Sequence, residues 1–306
     1  MTRPDEHDVS VGAYTFVTSD WKEKDYPFDI WLEHALEIFD QVAVVTYGDL
    51  GLVSKGNLLV KCMPSVPQST FEFYVKGKEA AQKLLTTKWK VLLDIDEFLP
   101  RRIDTRDLDE RYAYPLKYHH LYGNLQTEIV SKRSVRYQFR IHTGHRAVLG
   151  DGANVGPPYP GIVNVPKIIP LFALGMLRRV RSSLNRNERD ISGKTFSLRE
   201  VFGNAFAEAY AFSYGAGAIQ QSFDVYHTNT VRRPDALTEK WIIQIRRELR
   251  EGQRHDAKVL AFLEKNTMNY KSFLRLQPTA KLLKVPSDCL PAILTRNIDR
   301  FNHSDL

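Results

Sequence analysis

Val91 to Pro100 reads VLLDIDEFLP. Three apolar residues, Val91, Leu92 and Leu93, pass straight into Asp94, Asp96 and Glu97, with Phe98 and Leu99 behind them, the pattern of a buried strand that ends abruptly in carboxylates. Carboxylates this close repel one another and raise each other's pKa unless a cation sits among them, and hard oxygen ligands favour Mg or Mn. The stretch predicts a divalent metal at the carboxyl end of a central strand, the usual ligand position in an open α/β sheet. By the same logic Asp96→Asn is expected to relieve repulsion and leave the fold intact.

Upstream the chain reads as strand, helix, strand. Val9 to Val17 is β-branched and aromatic; Phe28 to Phe39 sets Ile30, Trp31, Ala35, Leu36 and Phe39 on one helical face; Gln41 to Tyr47 is a second strand ending in Gly48 and Asp49. That is the βαβ unit of a parallel sheet. Asn57 to Met63 reads as a third strand stopped by Pro64, and Glu72 to Thr87 as a helix carrying Lys76 and Lys78 in its first half. Four strands with helices between them predict an α/β fold with a doubly wound sheet.

Downstream the character changes. Tyr112 to Tyr122 and Val135 to Ile141 alternate apolar and polar residues as strands do, and Leu149 to Pro166, rich in glycine and proline, predicts a binding loop or lid. Helices are expected over Ile168 to Asn187 and Phe196 to Ala211, and a short strand over Phe223 to Tyr226 with His227 at its end. From Ala236 the chain reads as charged helix.

The 306 residues carry a formal charge of +7, which attracts acidic partners such as nucleotides, anionic lipid or nucleic acid. No apolar run approaches the roughly 18 residues needed to cross a bilayer, and the opening MTRPDEHDVS lacks the apolar core of a signal peptide, so a cytoplasmic protein is expected. Cys62 and Cys289 are too few for a disulfide framework or a cysteine-built zinc site. Zinc held by His119, His120, His142 and His145 is disfavoured because neighbouring strand residues point to opposite faces.

An apolar strand ending in DxDE has three readings. A P-loop ATPase fails, because the GKT at Gly193 to Thr195 lacks the earlier glycine of the phosphate loop and follows the acidic strand. A haloacid-dehalogenase-like phosphatase wants Thr or Val where Phe98 stands, and wants the motif near the N-terminus. The third reading is a nucleotide-sugar transferase. Over roughly residues 9 to 235 the chain resembles the GT-A glycosyltransferases, in particular the family 2-like members with a DxDEF(L) signature. The resemblance rests on Asp29 to Leu32, Phe39 to Val45, Lys76 and Lys78, and Trp89 to Leu99. In place of the family's Asp-rich turn after the second strand stand Gly48, Asp49 and Leu50.

The resemblance implies a half-Rossmann sheet, a catalytic domain over 1–235 (donor-binding half 1–100, acceptor-side half 101–235) and a helical extension over 236–306. It implies metal-dependent transfer from a nucleotide-sugar donor to a glycan, lipid-linked or other hydroxyl acceptor. Asp49 would contact the nucleotide, with Thr18, Asp20 and Lys78 in the same donor site. Asp96 would ligate Mn or Mg, Asp94 would contact the ribose or the metal through water, and His227 would be a further metal ligand or phosphate contact. Arg232 and Arg233 would approach the diphosphate. The base is expected in Asp151, with Glu128 in reserve. Against each of these roles stands a plainer one: strand-end capping for the acidic residues, a hydrogen-bonded surface histidine for His227, turn residues for Asp151 and Glu128. The basic stretch Ile168 to Arg189 suits docking of an acceptor or peripheral contact with a membrane, or simply a solvated face. The alternatives are a glycosyltransferase acting on modified nucleic acid and a basic nucleic-acid-binding protein, although no helix-turn-helix, zinc-finger or RNP signature is present.

Overall fold

The computed structural model describes residues 10–64, 70–108, 114–130, 137–143, 222–250, 257–266 and 280–303. Leu149 to Pro166 with Asp151, the basic stretch Ile168 to Arg189, Phe196 to Ala211 and His145 lie outside the described residues.

β1 (Val11–Thr18), α1 (Phe28–Ile38) and β2 (Gln41–Tyr47) form the expected βαβ unit, β1 and β2 pairing in parallel from Gly12↔Gln41 to Thr18↔Tyr47. β3 (Leu58–Met63) joins β2 in parallel, α2 (Thr70–Gln82) returns, and β4 (Trp89–Leu92) pairs in parallel with the other side of β1. The parallel half is therefore ordered β3-β2-β1-β4. The direction of winding reverses between β1 and β4, so the crevice outside their carboxyl ends is the topological switch point, where open α/β sheets take ligands.

Strand alternation divides the core between two faces. Val11, Ala13 and Val17 pack with Phe28, Trp31 and Ala35 of α1, whereas Tyr14, Ala43, Val45 and Leu92 meet Ala81 and Leu85 at and beyond the end of α2. Gly77 lets α2 come close: a Cβ there would lie 3.0 Å from Phe16 Cγ and 3.1 Å from Phe16 Cβ and the Tyr47 hydroxyl. The helix stops at Gln82, short of the expected Thr87. There the Gln41 side chain takes over, accepting from the Thr86 amide at 2.8 Å and donating to the Thr86 hydroxyl at 2.7 Å.

Beyond β4 come β5 (Glu97–Phe98), β6 (Tyr114–Tyr122), β7 (Asn124–Val130), β8 (Tyr137–His142) and β9 (Phe223–Thr230). β8 pairs antiparallel with β4 and with β6, and β7 with β6, which makes the sheet, ten-stranded among the described residues, mixed. The expectation of a strand ending before His227 is corrected. His227 lies inside β9, held on one side by Glu97 of β5 and on the other by His120 of β6. β7 was not expected, because NLQTEIV is mostly polar; its buried anchors are Leu125 and Ile129, and Gly123 (φ +72) makes the turn into it.

The expected helical extension over 236–306 is also corrected. α3 (Pro234–Arg250) and α4 (Ala257–Leu263) are helical, but β10 (Lys281–Lys284) then pairs antiparallel with β7. α5 (Ala292–Arg296) and the 3-10 turn Ile298–Phe301 return to the end of the sheet that carries β5. Val285, Ile293, Leu294 and Phe301 share one apolar core with Val91 and Phe98, and the Phe301 ring meets Phe98 edge-on with centroids 6.3 Å apart. Among the described residues no helix is long and apolar enough to cross a membrane.

Gly77→Ala tests the close approach of α2. Alanine gains about 1 kcal/mol of helix propensity, but overpacking costs roughly 1–3 kcal/mol, and the Phe16 Cβ cannot rotate away. A net loss of stability is expected in urea unfolding; a variant as stable as the parent would refute the contact.

Candidate active site at the end of β4

The alternation of β4 delivers Val91 and Leu93 to the core on the α1 face and Leu92 to that on the α2 face. Asp94, two residues after Leu92, follows it to the α2 side. There Lys78 of α2 brings its Nζ to 3.6 Å from Asp94 Oδ1. The chain turns at once, the Glu97 amide donating to the Asp94 carbonyl at 3.0 Å. Glu97 Oε2 accepts the Asp94 amide at 2.9 Å. Arg140 of β8 spans both carboxylates, Nη1 donating to Glu97 Oε2 at 2.7 Å and Nη2 to Asp94 Oδ2 at 3.2 Å.

Asp96 faces a second set of cations. Its Oδ2 accepts from Arg232 Nη2 at 2.8 Å, and its Oδ1 lies 3.5 Å from His227 Nε2. Arg232 also donates to the Lys24 carbonyl at 3.1 Å and stacks on Tyr26, its guanidinium carbon 3.6 Å from the ring centroid. Lys240 of α3 reaches 5.6 Å from the same ring and hydrogen-bonds Asn229. Of the three carboxylates only Asp94 keeps a substantial solvent face, 35% against 5% for Asp96 and 1% for Glu97.

Burial alone would raise all three acids. For Asp94, Lys78 and Arg140 outweigh it and hold the carboxyl below its ordinary value; for Asp96, His227, Lys240 and Arg232 do the same more strongly. For Glu97 burial wins over Arg140, and its carboxyl is raised to about 7. Lys240 is pushed down by burial and by Arg232. Four cationic side chains, Lys78, Arg140, Arg232 and Lys240, thus surround three carboxylates.

The other expected site residues divide. Thr18, at the end of β1, donates to Asp20 Oδ1 at 2.5 Å, and Asp20 pairs with Lys24. Asp49 is exposed beyond β2, its Oδ1 accepting the Gly51 amide at 2.7 Å. The Arg233 guanidinium lies 3.7 Å from Asp25 and 3.8 Å from Asp235, and its amide donates to Asp25 Oδ2 at 2.7 Å. Glu128 sits with a different group: its Oε2 is 3.1 Å from His119 Nδ1, and His119 Nε2 is 3.0 Å from Asp224. His119 and His120 alternate across β6, so this group is on the opposite face from His120, whose Nδ1 lies 3.0 Å from His227 Nδ1.

The expected Mn or Mg suits the donor types, two hard carboxylates and an imidazole. It does not suit their arrangement. Asp94 Oδ1, Asp94 Oδ2 and Asp96 Oδ2 each face a cationic side chain, and among the described residues no three His, Cys, Asp or Glu side chains are grouped to hold a metal ion. The expectation that Asp96→Asn relieves repulsion is likewise overturned, since Asp96 is the buried partner of Arg232.

Sequence reasoning placed Glu97 in the carboxylate cluster without a role of its own, and passed over Arg140, Lys240, Tyr26 and Asp25. The signal for Arg140 lay in the alternation of β8: Gln138 and Arg140 share a face and are joined at 2.6 Å, a polar stripe turned toward the site. Asp25 is buried in a left-handed conformation (φ 56) and accepts from Arg300 at 2.6 Å.

No family model matches the chain, and no curated protein matches it. Among solved structures it is similar to a crystal structure of S. aureus TarS, residues 1–349. The match has 14% identity and a TM-score of 0.32, covering 84% of this chain and 68% of that one. At that level of similarity only the side chains of the site carry a functional reading.

Two outcomes are expected. Asp96→Asn should cost about 3–5 kcal/mol in urea unfolding, because it leaves the buried Arg232 charge without its carboxylate; an unchanged midpoint would show that the pair is not formed. His119 is raised to about 9, the hydrogen bonds it donates to Asp224 and Glu128 outweighing burial. Its contribution to stability is therefore complete below the ordinary histidine value of about 6.5 and is lost as pH rises through about 9, at most about 2 kcal/mol after solvent screening. Urea midpoints at about pH 6 and about pH 10 should show this loss in the parent and not in His119→Gln.

Proposed function

We propose that the protein is a glycosyltransferase of GT-A type that uses a nucleotide-sugar donor. The observation that supports this is the surplus of positive charge around a carboxylate cluster at the switch point of a parallel sheet. A site so built favours an anion that also presents hydroxyl groups, and a sugar joined to a diphosphate is both. In this reading Lys240 meets the diphosphate, the buried Lys78 lends its charge from beneath Asp94, and Asp94, with its solvent face, accepts hydrogen bonds from ribose or sugar hydroxyls. Thr18, Asp20 and Asp49 border the nucleoside end of the crevice.

Transfer then forms a bond from the acceptor oxygen to the anomeric carbon and breaks the bond from that carbon to the diphosphate. The charge that develops on the leaving oxygen is offset by fixed cations already in place. The acceptor proton goes to a carboxylate; Asp151 is the proposal for it, because Glu128 is engaged by His119 on the other face of the sheet. The acceptor proposed is a glycan or lipid-linked hydroxyl, and Mn or Mg enters as a variable of the assay.

The test is thermal unfolding with UDP-, GDP- and dTDP-sugars, each with Mn, with Mg and with excess chelator. Ligand at about 100 times its Kd adds about 2.7 kcal/mol, a rise of several degrees. One donor should raise the midpoint in the parent and not in Lys78→Met. No shift with any of them, together with a salt-sensitive shift by single- or double-stranded DNA, would replace the reading by nucleic-acid binding.

A further inference from the structure

Asp94 is the half-buried carboxylate of the cluster and the most accessible of the three, yet its position is set from below. A closed ring of contacts runs from the Asp94 amide to Glu97 Oε2 (2.9 Å), from Glu97 Oε2 to Arg140 Nη1 (2.7 Å), and from Arg140 Nη2 back to Asp94 Oδ2 (3.2 Å). Arg140 is itself immobilised. Its Nε donates to Gln138 Oε1 at 2.6 Å, its guanidinium lies over the Tyr118 ring at 5.6 Å, and the Tyr118 hydroxyl donates to the same Gln138 oxygen at 3.1 Å. Glu97 and Arg140 are almost wholly buried and cannot meet a substrate in this arrangement.

We propose that Glu97 and Arg140 are positioning residues, which hold the Asp94 carboxylate at the angle and depth that donor binding needs. The inference rests on the donor site proposed above. Glu97 is then not a third ligand of the DxDE motif. It ties down the turn after β4 and presents Arg140 to Asp94. The planar fork of arginine matters as much as its charge, since one guanidinium must serve two carboxylates at once. Lysine at 140 would keep the charge and lose the span.

The experiment compares Arg140→Lys, Glu97→Gln, Asp94→Asn and the double variants Arg140→Lys/Asp94→Asn and Glu97→Gln/Asp94→Asn. The donor is the nucleotide sugar with the largest thermal shift. Arg140→Lys and Glu97→Gln are each expected to raise the KM for donor about tenfold or more and to leave the KM for acceptor unchanged. In the Asp94→Asn background both should change the donor KM less than about twofold, because both act through Asp94. A loss confined to kcat, as from a smaller folded fraction, or additive effects on KM, would overturn the proposal. The same five variants in urea unfolding read the coupling of Arg140 and Glu97 to Asp94 without any ligand, and additive stabilities there would also overturn it. If no nucleotide sugar is bound or transferred, the donor reading fails on its own, and the unfolding cycle still decides whether the ring holds Asp94.

Discussion

A carboxylate can be taken out of water only together with its counter-charge, and much of this fold follows from having three of them at the end of one strand. The desolvation cost is several kcal/mol for each ion, and removing one partner leaves a larger penalty than the pair ever carried. The chain therefore brings Arg140 from 43 positions beyond Glu97 and Arg232 from 136 beyond Asp96. β8 must lie against β4 for the first contact, and the turn after β9 must lie against residues 24–26 for the second. The mixed half of the sheet beyond β4 is thereby locked to the parallel half by charge as well as by backbone ladders. Contacts so distant in sequence close large loops, so the site's completion carries a loop-closure entropy that these ion pairs and the surrounding core must offset.

The parallel half was legible because its strands are buried on both faces. A continuous apolar run such as VAVV in β2 suits a strand covered on both sides and little else, and the abrupt change at Asp94 marks where such a strand leaves the core. The demand for a cation was legible too, since it follows from Coulomb repulsion alone. What supplies the cation was not. A divalent metal and an arginine 43 residues away satisfy the same local sequence, and only the register of β8 against β4 brings Arg140 to the acids. β7 escaped for a related reason: a strand whose polar side chains answer other polar groups, as Glu128 answers His119, loses the alternation by which strands are recognised. His227 was read as a strand end, whereas β9 runs on through Thr230 and the backbone of Asp96 accepts both the amide and the hydroxyl of Thr228.

The two cation sets divide the work differently. Lys78 and Arg140 meet an acid that keeps a solvent face, so their charge reaches any ligand that approaches Asp94. Arg232 meets a buried acid and is covered by Tyr26, so its charge is largely neutralised inside the protein. The low dielectric that strengthens this inner pair also makes it intolerant of change, whereas the outer pair is softened by water.

The inner pair depends in turn on three consecutive residues. The Lys24 carbonyl and the Tyr26 ring both hold Arg232, and Asp25 between them accepts the amide of Arg233 and the guanidinium of Arg300. Asp25 sits in the left-handed region at φ 56, where an ordinary residue is strained by about 1–2 kcal/mol. Glycine would remove that strain. It would also remove a buried carboxylate that two donors face, which costs more, since a hydrogen bond to a charged group contributes about 1.5–3 kcal/mol. Charge, not backbone ease, therefore selects the residue at this turn. It also explains why α5 and the 3-10 turn after it fold back across the molecule: Arg300 completes the coordination of Asp25, and Asp25 is flanked on both sides by the residues that hold Arg232 against Asp96.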